Sequence, residues 1–183
     1  ITGSVSNVAT TAASFLDIGI GARSLSMGGA FVAIADDPTA LYWNPAGIVS
    51  IESPMAHFYH SPWIADVQFN HSAVVVPLDR SSSFGFFITS VTMDEMQVRT
   101  VKSPQGTGEY FSVSNVALAG SYARRLTDRF SFGVNMKFIQ EKIWHMNAGG
   151  LAVDLGSLFV TKNSGLRIGM SVSNFGGKIS MEG

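Results

Sequence analysis

Residues 130–141 read FSFGVNMKFIQE. Phe130, Phe132, Val134, Met136 and Phe138 alternate with Ser131, Gly133, Asn135, Lys137, Ile139 and Glu141. Side chains of an extended chain point to opposite faces with a period of two. The stretch is therefore a strand with one apolar and one mainly polar face. The polar face is unusual, being built largely from small or amide side chains. Such residues suit a crowded interior better than open water, which makes the apolar face the candidate for contact with lipid.

The same alternation extends outward in both directions. Leu166, Ile168, Met170 and Val172 oppose Arg167, Gly169, Ser171 and Ser173. Leu151, Val153 and Leu155 oppose Ala152, Asp154 and Gly156, and Val116, Leu118, Gly120 and Tyr122 oppose Asn115, Ala117, Ala119, Ser121 and Ala123. Noisier segments at 54–61, 66–78 and 83–93 bring the expectation to about seven strands of the kind that cross an outer membrane. LDRSSS (78–83), RRLTDR (124–129) and TKNSG (161–165) read as short turns. VKSPQGTGEY (101–110) reads as part of a long loop and WHMNAGG (144–150) as a moderate one. Sorting of connectors into short and long is the rhythm of outer-membrane barrels. Tyr59, Trp63, Tyr110, Tyr122 and Trp144 are expected at the interface girdles.

Composition agrees with this reading. Charged residues make up 14% of the 183 residues against 46% hydrophobic, where soluble domains carry about 25% charge. Yet no run approaches the ~18 apolar residues of a membrane helix. A chain that meets a bilayer through strands must close them into a barrel. A soluble sandwich, burying the Phe130 face instead, fits the strands one by one. A net charge of −1 with scattered Lys and Arg gives no footprint for nucleic acid. Cysteine is absent, excluding disulfides and thiolate metal sites. ITGSVSNVATTAASF at the start is small and polar, as a mature N-terminus is after signal cleavage, or as the start of an ordered region.

Before residue 50 the alternation is lost. Residues 21–48, GARSLSMGGAFVAIADDPTALYWNPAGI, concentrate glycine, paired aspartates and a Tyr-Trp-Asn-Pro run. No lysine follows the glycines as a phosphate-binding loop requires, and the third glycine of a dinucleotide fingerprint is missing. Asp36 and Asp37, if extended, point to opposite sides and make a poor acid–base pair. Asp37-Pro38-Thr39 reads as a cap and first helical turn, and Asn44-Pro45 as a turn. The stretch is expected to be a compact plug of short helical turns, with neither catalytic residues nor a cofactor. His57, His60, His71 and His145 lack metal-site spacing, and His57 and His60 fall on opposite strand faces.

FLDIGIGARSLSMGGAFVAIADDPTALYWNPAGI (15–48) resembles the N-terminal signature of the PorV/PorQ family, a branch of the FadL-like outer-membrane barrels. The matching positions are Gly21-Ala22-Arg23, Met27-Gly28-Gly29-Ala30, Ala35-Asp36-Asp37 and Tyr42-Trp43-Asn44-Pro45-Ala46-Gly47. The resemblance implies an all-β antiparallel transmembrane barrel of about fourteen strands, with a small helical hatch in its lumen. Residues 1–50 are then the hatch, and 51–183 the first half of the barrel. Asn135, Lys137, Glu141, Asp154 and Arg167 would face the lumen, where the charged ones pair with each other or with Arg23, Asp36 and Asp37. Arg23 is the expected hatch-to-wall contact. The implied location is the outer membrane of a Gram-negative-type bacterium, with lipid around the barrel. Two non-enzymatic roles follow. One is a scaffold that docks secreted or surface proteins on the loops at 94–109 and 144–149, as in type IX secretion. The other is FadL-like transport, with a hydrophobic small molecule in the lumen.

Overall fold

The computed structural model describes residues 13–162, 165–177 and 179. Seven strands follow one another as β1 (Met55–Pro62), β2 (Val67–Pro77), β3 (Ser82–Gln97), β4 (Tyr110–Arg125), β5 (Phe130–Ile143), β6 (Met146–Val160) and β7 (Arg167–Gly176). They form one antiparallel sheet in chain order. The sheet is open: among the described residues β1 and β7 each pair with one neighbour only. Ahead of β1, a segment of short helical turns folds against one face. It contains a 3-10 turn at Ser14–Asp17, α1 (Ala22–Ser26), α2 (Ala40–Trp43) and a second 3-10 turn at Pro45–Ser50.

The sidedness of the sheet is the opposite of a soluble sandwich. On β5, Phe138 is 49% exposed and Met136 70%, whereas Lys137 retains 3% and Asn135 none. The face bearing Lys137, here the inner face, lies under the N-terminal segment, and the phenylalanines point away from the protein. On the outer face, residues in register across β3–β6 form apolar rows. One runs Ile88, Leu118, Phe138, Leu151 and the next Phe86, Gly120, Met136, Val153. Water has no favourable way to cover such a face, whereas lipid does.

Two apolar clusters join the N-terminal segment to the inner face. Phe31, Ala35, Leu41, Ile48 and Val49 pack with Ala73, Val75, Phe87, Ala119 and Ala123. Phe15, Leu16 and Ile20 pack with Phe69, Val91, Ala117, Ile139 and Ala152. Inward apolar side chains are therefore not confined to Ile139 on β5; the noisier strands β2 and β3 supply several more.

The connectors differ from expectation. WHMNAGG is not a loop: Trp144 and His145 alone turn the chain, and Met146–Gly150 belong to β6. Trp144 takes φ +54, which lets so tight a turn close. The long connector between β3 and β4 spans 98–109 and not 94–109, because Asp94–Gln97 extend β3; its base is tied by Val98 N donating to Glu109 O (2.8 Å) and Thr107 N to Val98 O (2.8 Å). Among the described residues it is the one long connector in the sheet. Tyr59 is no girdle residue, since it turns inward and meets Phe69 edge-on at 5.9 Å.

At the opposite end, Asp79 organises the β2–β3 turn. Its carboxylate accepts from Ser81 N (2.6 Å), Ser81 Oγ (2.7 Å) and Ser82 Oγ (2.5 Å). Hydrogen bonds from Ser82 and then Ser81 hold its pKa below the ordinary 3.8. A depressed folded-state pKa contributes stability above the unfolded value, lost as pH falls through the folded one. Asp79→Asn should thus lower the melting temperature at neutral pH. The gap to wild type should narrow below about pH 4, and melting curves across that range check it.

Candidate functional site

The Tyr42-Trp43-Asn44 run holds the N-terminal segment together. Each of these three consecutive side chains takes a backbone carbonyl from a different earlier turn. Tyr42 Oη donates to Leu16 O (2.9 Å), Trp43 Nε1 to Ile20 O (2.9 Å) and Asn44 Nδ2 to Val32 O (2.8 Å). Burial, aided by Asp17 and then Asp154, pushes the Tyr42 hydroxyl up to about 12, so it remains a neutral donor. Irregular turns carry backbone groups with no ladder to satisfy them, and buried ones must find partners elsewhere. Tyr, Trp and Asn supply donors on rigid or short side chains, which is why these types sit here.

Asn44 also crosses to the sheet, where Nδ2 donates to Ser157 O on β6 (3.0 Å). Its Oδ1 accepts from Ala46 N (3.1 Å), capping the 3-10 turn that Pro45 begins. The backbone of Pro45–Ala46 lies directly on Gly133 of β5, and Asn44 and Pro45 lie on Gly156 of β6. Gly133 and Gly156 are cross-strand partners. A Cβ on either would collide with Asn44, Pro45 or Ala46. Gly85 and Gly169 make similar room for Leu41 and for the Val32–Ala33 backbone. Gly47 must also lack a side chain, because a Cβ there would strike the Ala35 carbonyl. Composition showed that the inner face was small; only the structure shows that its glycines are seats.

Below this contact lies a buried polar network. Asn135 Nδ2 donates to Leu41 O (2.7 Å) and to Asp154 Oδ2 (2.7 Å). Lys137 Nζ pairs with Asp154 Oδ2 at 2.7 Å and donates to Asn174 Oδ1 at 2.8 Å. Asn174 N donates to Asp154 Oδ1 (2.8 Å), and Ala13 N to Glu141 Oε2 (2.9 Å). Arg167 Nη1 reaches Ile34 O (3.1 Å) and Arg125 Nη2 reaches Val49 O (3.4 Å). Strands thus bind the segment mostly through its backbone. Ser157, Asn174 and Arg125 escaped the sequence reading, for their partners are remote in the chain.

The expected Arg23 contact falls elsewhere. Arg23 Nη1 pairs with Asp36 Oδ1 (2.6 Å) and Asp37 Oδ2 (3.5 Å), within the segment and half exposed. The Asp36 hydrogen bond, with its charge, raises the Arg23 pKa further. One guanidinium spans both carboxylates, so Asp36 and Asp37 do not diverge as on an extended chain. Asp37 Oδ1 also accepts from Thr39 N (2.8 Å) and Thr39 Oγ1 (2.5 Å), a capping role. Gly21, Gly28 and Gly29 adopt positive φ in the turns flanking α1, and Met27 is exposed. His57 and His71 lie on the inner face and His60 on the outer, where its Nδ1 meets Asn70 Oδ1 at 2.7 Å. Among the described residues no three His, Asp or Glu gather to hold a metal.

The family model for the type IX secretion system protein PorV matches residues 2–182. The chain belongs to the PorV family. Neither a search of curated proteins nor one of solved structures gave a match. Family membership makes this a type IX secretion-associated protein of the outer membrane. The exposed apolar face and the covered polar face are the physical counterpart of that location.

Two tests follow for this PorV-family chain. Gly133→Val should destabilise it by about 1–3 kcal/mol through overpacking. Gly120→Val should stay within about 0.5 kcal/mol, because a Cβ at Gly120 meets nothing within 4 Å. Denaturant titration of both in the same lipid decides between a seat and a general intolerance of the sheet. Lys137→Met should cost about 3–5 kcal/mol by stranding Asp154. Lys137→Met with Asp154→Asn should recover most of it, and a double variant as unstable as the single would refute the stranded charge.

Proposed function

We propose that the chain is the N-terminal part of an outer-membrane barrel of about fourteen strands that acts as a non-enzymatic scaffold. Residues 1–50 form its hatch, the first twelve lying outside the described residues, and 51–183 the first half of its wall. The observation that carries this reading is the sidedness of the strands together with the segment seated on their inner face. Phe130 to Phe138 covers eight residue steps of outward apolar side chains. That is about 27 Å of strand, or roughly 21 Å of height at a ~40° tilt, near the ~25 Å apolar band of such barrels. Beyond it the outer face turns polar, through Gln140 and Lys142 on β5 and Ser114 on β4.

Scaffolding is favoured over FadL-like transport by the fate of the inward apolar residues. Phe69, Val75, Phe87, Val91 and Ile139 are spent on packing the segment and line no greasy path. The cavity of about 270 Å³ between segment and wall is lined by Lys137, Ser171, Ser173 and Asn174 as well as Leu16, Tyr42 and Trp43. The docking element is the 98–109 connector, exposed over much of its length and projecting from the end that also carries the Trp144–His145 turn. The turn at Trp144–His145 is too short to add a loop. Other proteins of the secretion machinery are its partners.

Replacing residues 99–108 with a two-residue turn should leave heat-modifiable migration in detergent intact and abolish co-purification with the secretion complex. Undiminished co-purification would remove this connector from the interface. Fatty-acid uptake into proteoliposomes that Asn44→Ala raises would restore the transport reading.

A further inference from the structure

Each of the three turns at the end of the sheet opposite the 98–109 connector carries the same pair of residue types. Leu78 and Arg80 lie between β2 and β3, Leu126 and Arg129 between β4 and β5, and Lys162 and Leu166 between β6 and β7. The three leucines are 56–60% exposed. Arg80, Arg129 and Lys162 are exposed too, as is Arg124 on the outer face of β4. Within the described residues these four cations make no ion pair or side-chain hydrogen bond. The nearest carboxylate in sequence to Arg80 is Asp79, already committed to Ser81 and Ser82. The other cations of this end, Arg125 and Arg167, are turned inward onto carbonyls of the N-terminal segment.

Backbone bonds bring the four into one belt. Arg125 N donates to Ser81 O (2.7 Å), which places the Arg80 turn beside the end of β4. Val160 N donates to Arg129 O (2.9 Å), which places the Lys162 turn beside the start of β5. Arg124 pairs with Ser82 and Phe132 across the sheet, with exposed Phe84 and Tyr122 in the adjoining row. The cations thus sit where the apolar band ends. The other end has no such excess, since Arg99, Lys102 and Lys142 there are outnumbered by Asp66, Asp94, Glu95 and Glu109.

We propose that this belt binds the phosphate groups of anionic phospholipid in the periplasmic leaflet, the leucines anchoring in the acyl boundary beneath. The proposal rests on the barrel reading. Guanidinium forks match phosphate oxygens, long stems let the charge reach the headgroups from an apolar surface, and the end opposite the long 98–109 loop is the periplasmic one in such barrels. Uncommitted cations next to exposed leucines suit neither plain water nor hydrocarbon, and a leaflet boundary satisfies both halves.

The test uses the full-length protein in nanodiscs of phosphatidylcholine, alone or mixed with phosphatidylglycerol. Phosphatidylglycerol should be enriched several-fold among lipids that survive detergent washing and should raise the melting temperature. R80Q/R124Q/R129Q/K162Q should lose both effects, R80K/R124K/R129K should keep them, and R99Q/K102Q/K142Q at the other end should leave them unchanged. Equal enrichment in the quadruple glutamine variant overturns the proposal. So does the same melting shift from inorganic phosphate, or a preference for lipopolysaccharide through these four side chains. Failure of the wild type to insert into any nanodisc would sink the barrel reading itself, and insertion without headgroup preference would sink the belt alone.

Discussion

The contact between Asn44–Ala46 and the Gly133–Gly156 pair is the constraint on which the rest depends. The Pro45–Ala46 backbone lies on Gly133, and the Asn44 amide oxygen and Pro45 ring lie on Gly156, so the contact tolerates no side chain on the wall and no slip along it. Asn44 fixes the approach by bonding at once to Val32, Ser157 and Ala46. The pairing of β5 with β6 is held by the same contact. A one-residue slip would carry Gly156 away from Gly133 and turn every side chain of one strand to the wrong face.

The polar network beneath reinforces that register. A buried ion pair such as Lys137–Asp154 loses hydration on both sides and is weak evidence of net stability. What it supplies is a condition that only one arrangement meets. Asp154 takes bonds from Asn135, Lys137 and the Asn174 backbone, so β5, β6 and β7 must all be in place. Through Asn135 the network also reaches Leu41 of the N-terminal segment. Segment and wall are therefore specified together.

What could be read from the sequence follows from how each strand is used. On β5 the inner face meets mostly polar partners and the outer apolar face points away from the protein, so the period of two is clean and the inner face was legible. On β2 and β3 the inner face packs the apolar clusters, as Phe69 and Phe87 do, while the outer face is apolar only over part of its length, at Val74, Val76, Phe84, Phe86 and Ile88. Apolar residues on both faces there blur the alternation, and Phe86-Phe87-Ile88 carries no readable parity. The Trp144 turn was missed because small and polar residues, Asn147 to Gly150, looked like loop but are strand pairing with β5. Arg23 was misplaced for a different reason. A half-exposed guanidinium takes the nearest carboxylates, and Asp36 and Asp37 fold back onto it within the same segment. The capping role of Asp37 was legible, being local; the seats at Gly133 and Gly156 were not, since they depend on residues about ninety to one hundred and ten positions away.

The distribution of these contacts bears on whether the segment moves. From Leu41 to Val49 the segment is buried or nearly so and bonded to several strands. Among the described residues no hydrogen bond joins residues 22–30 to a strand, and Arg23, Leu25 and Met27 are exposed. Displacing the base would expose the wall glycines, break the Asn135 bond to Leu41 and open both apolar clusters. Lifting α1 would break contacts within the segment alone, among them the exposed Arg23 pair, the Ser24 bonds to Ile20 and Gly21, and the packing around Trp43. Any response to a partner is thus confined by energy to α1 and its turn, while the base keeps the inner face occupied. This division of labour fits the proposed scaffold, whose outer parts would engage other proteins while the base stays in place.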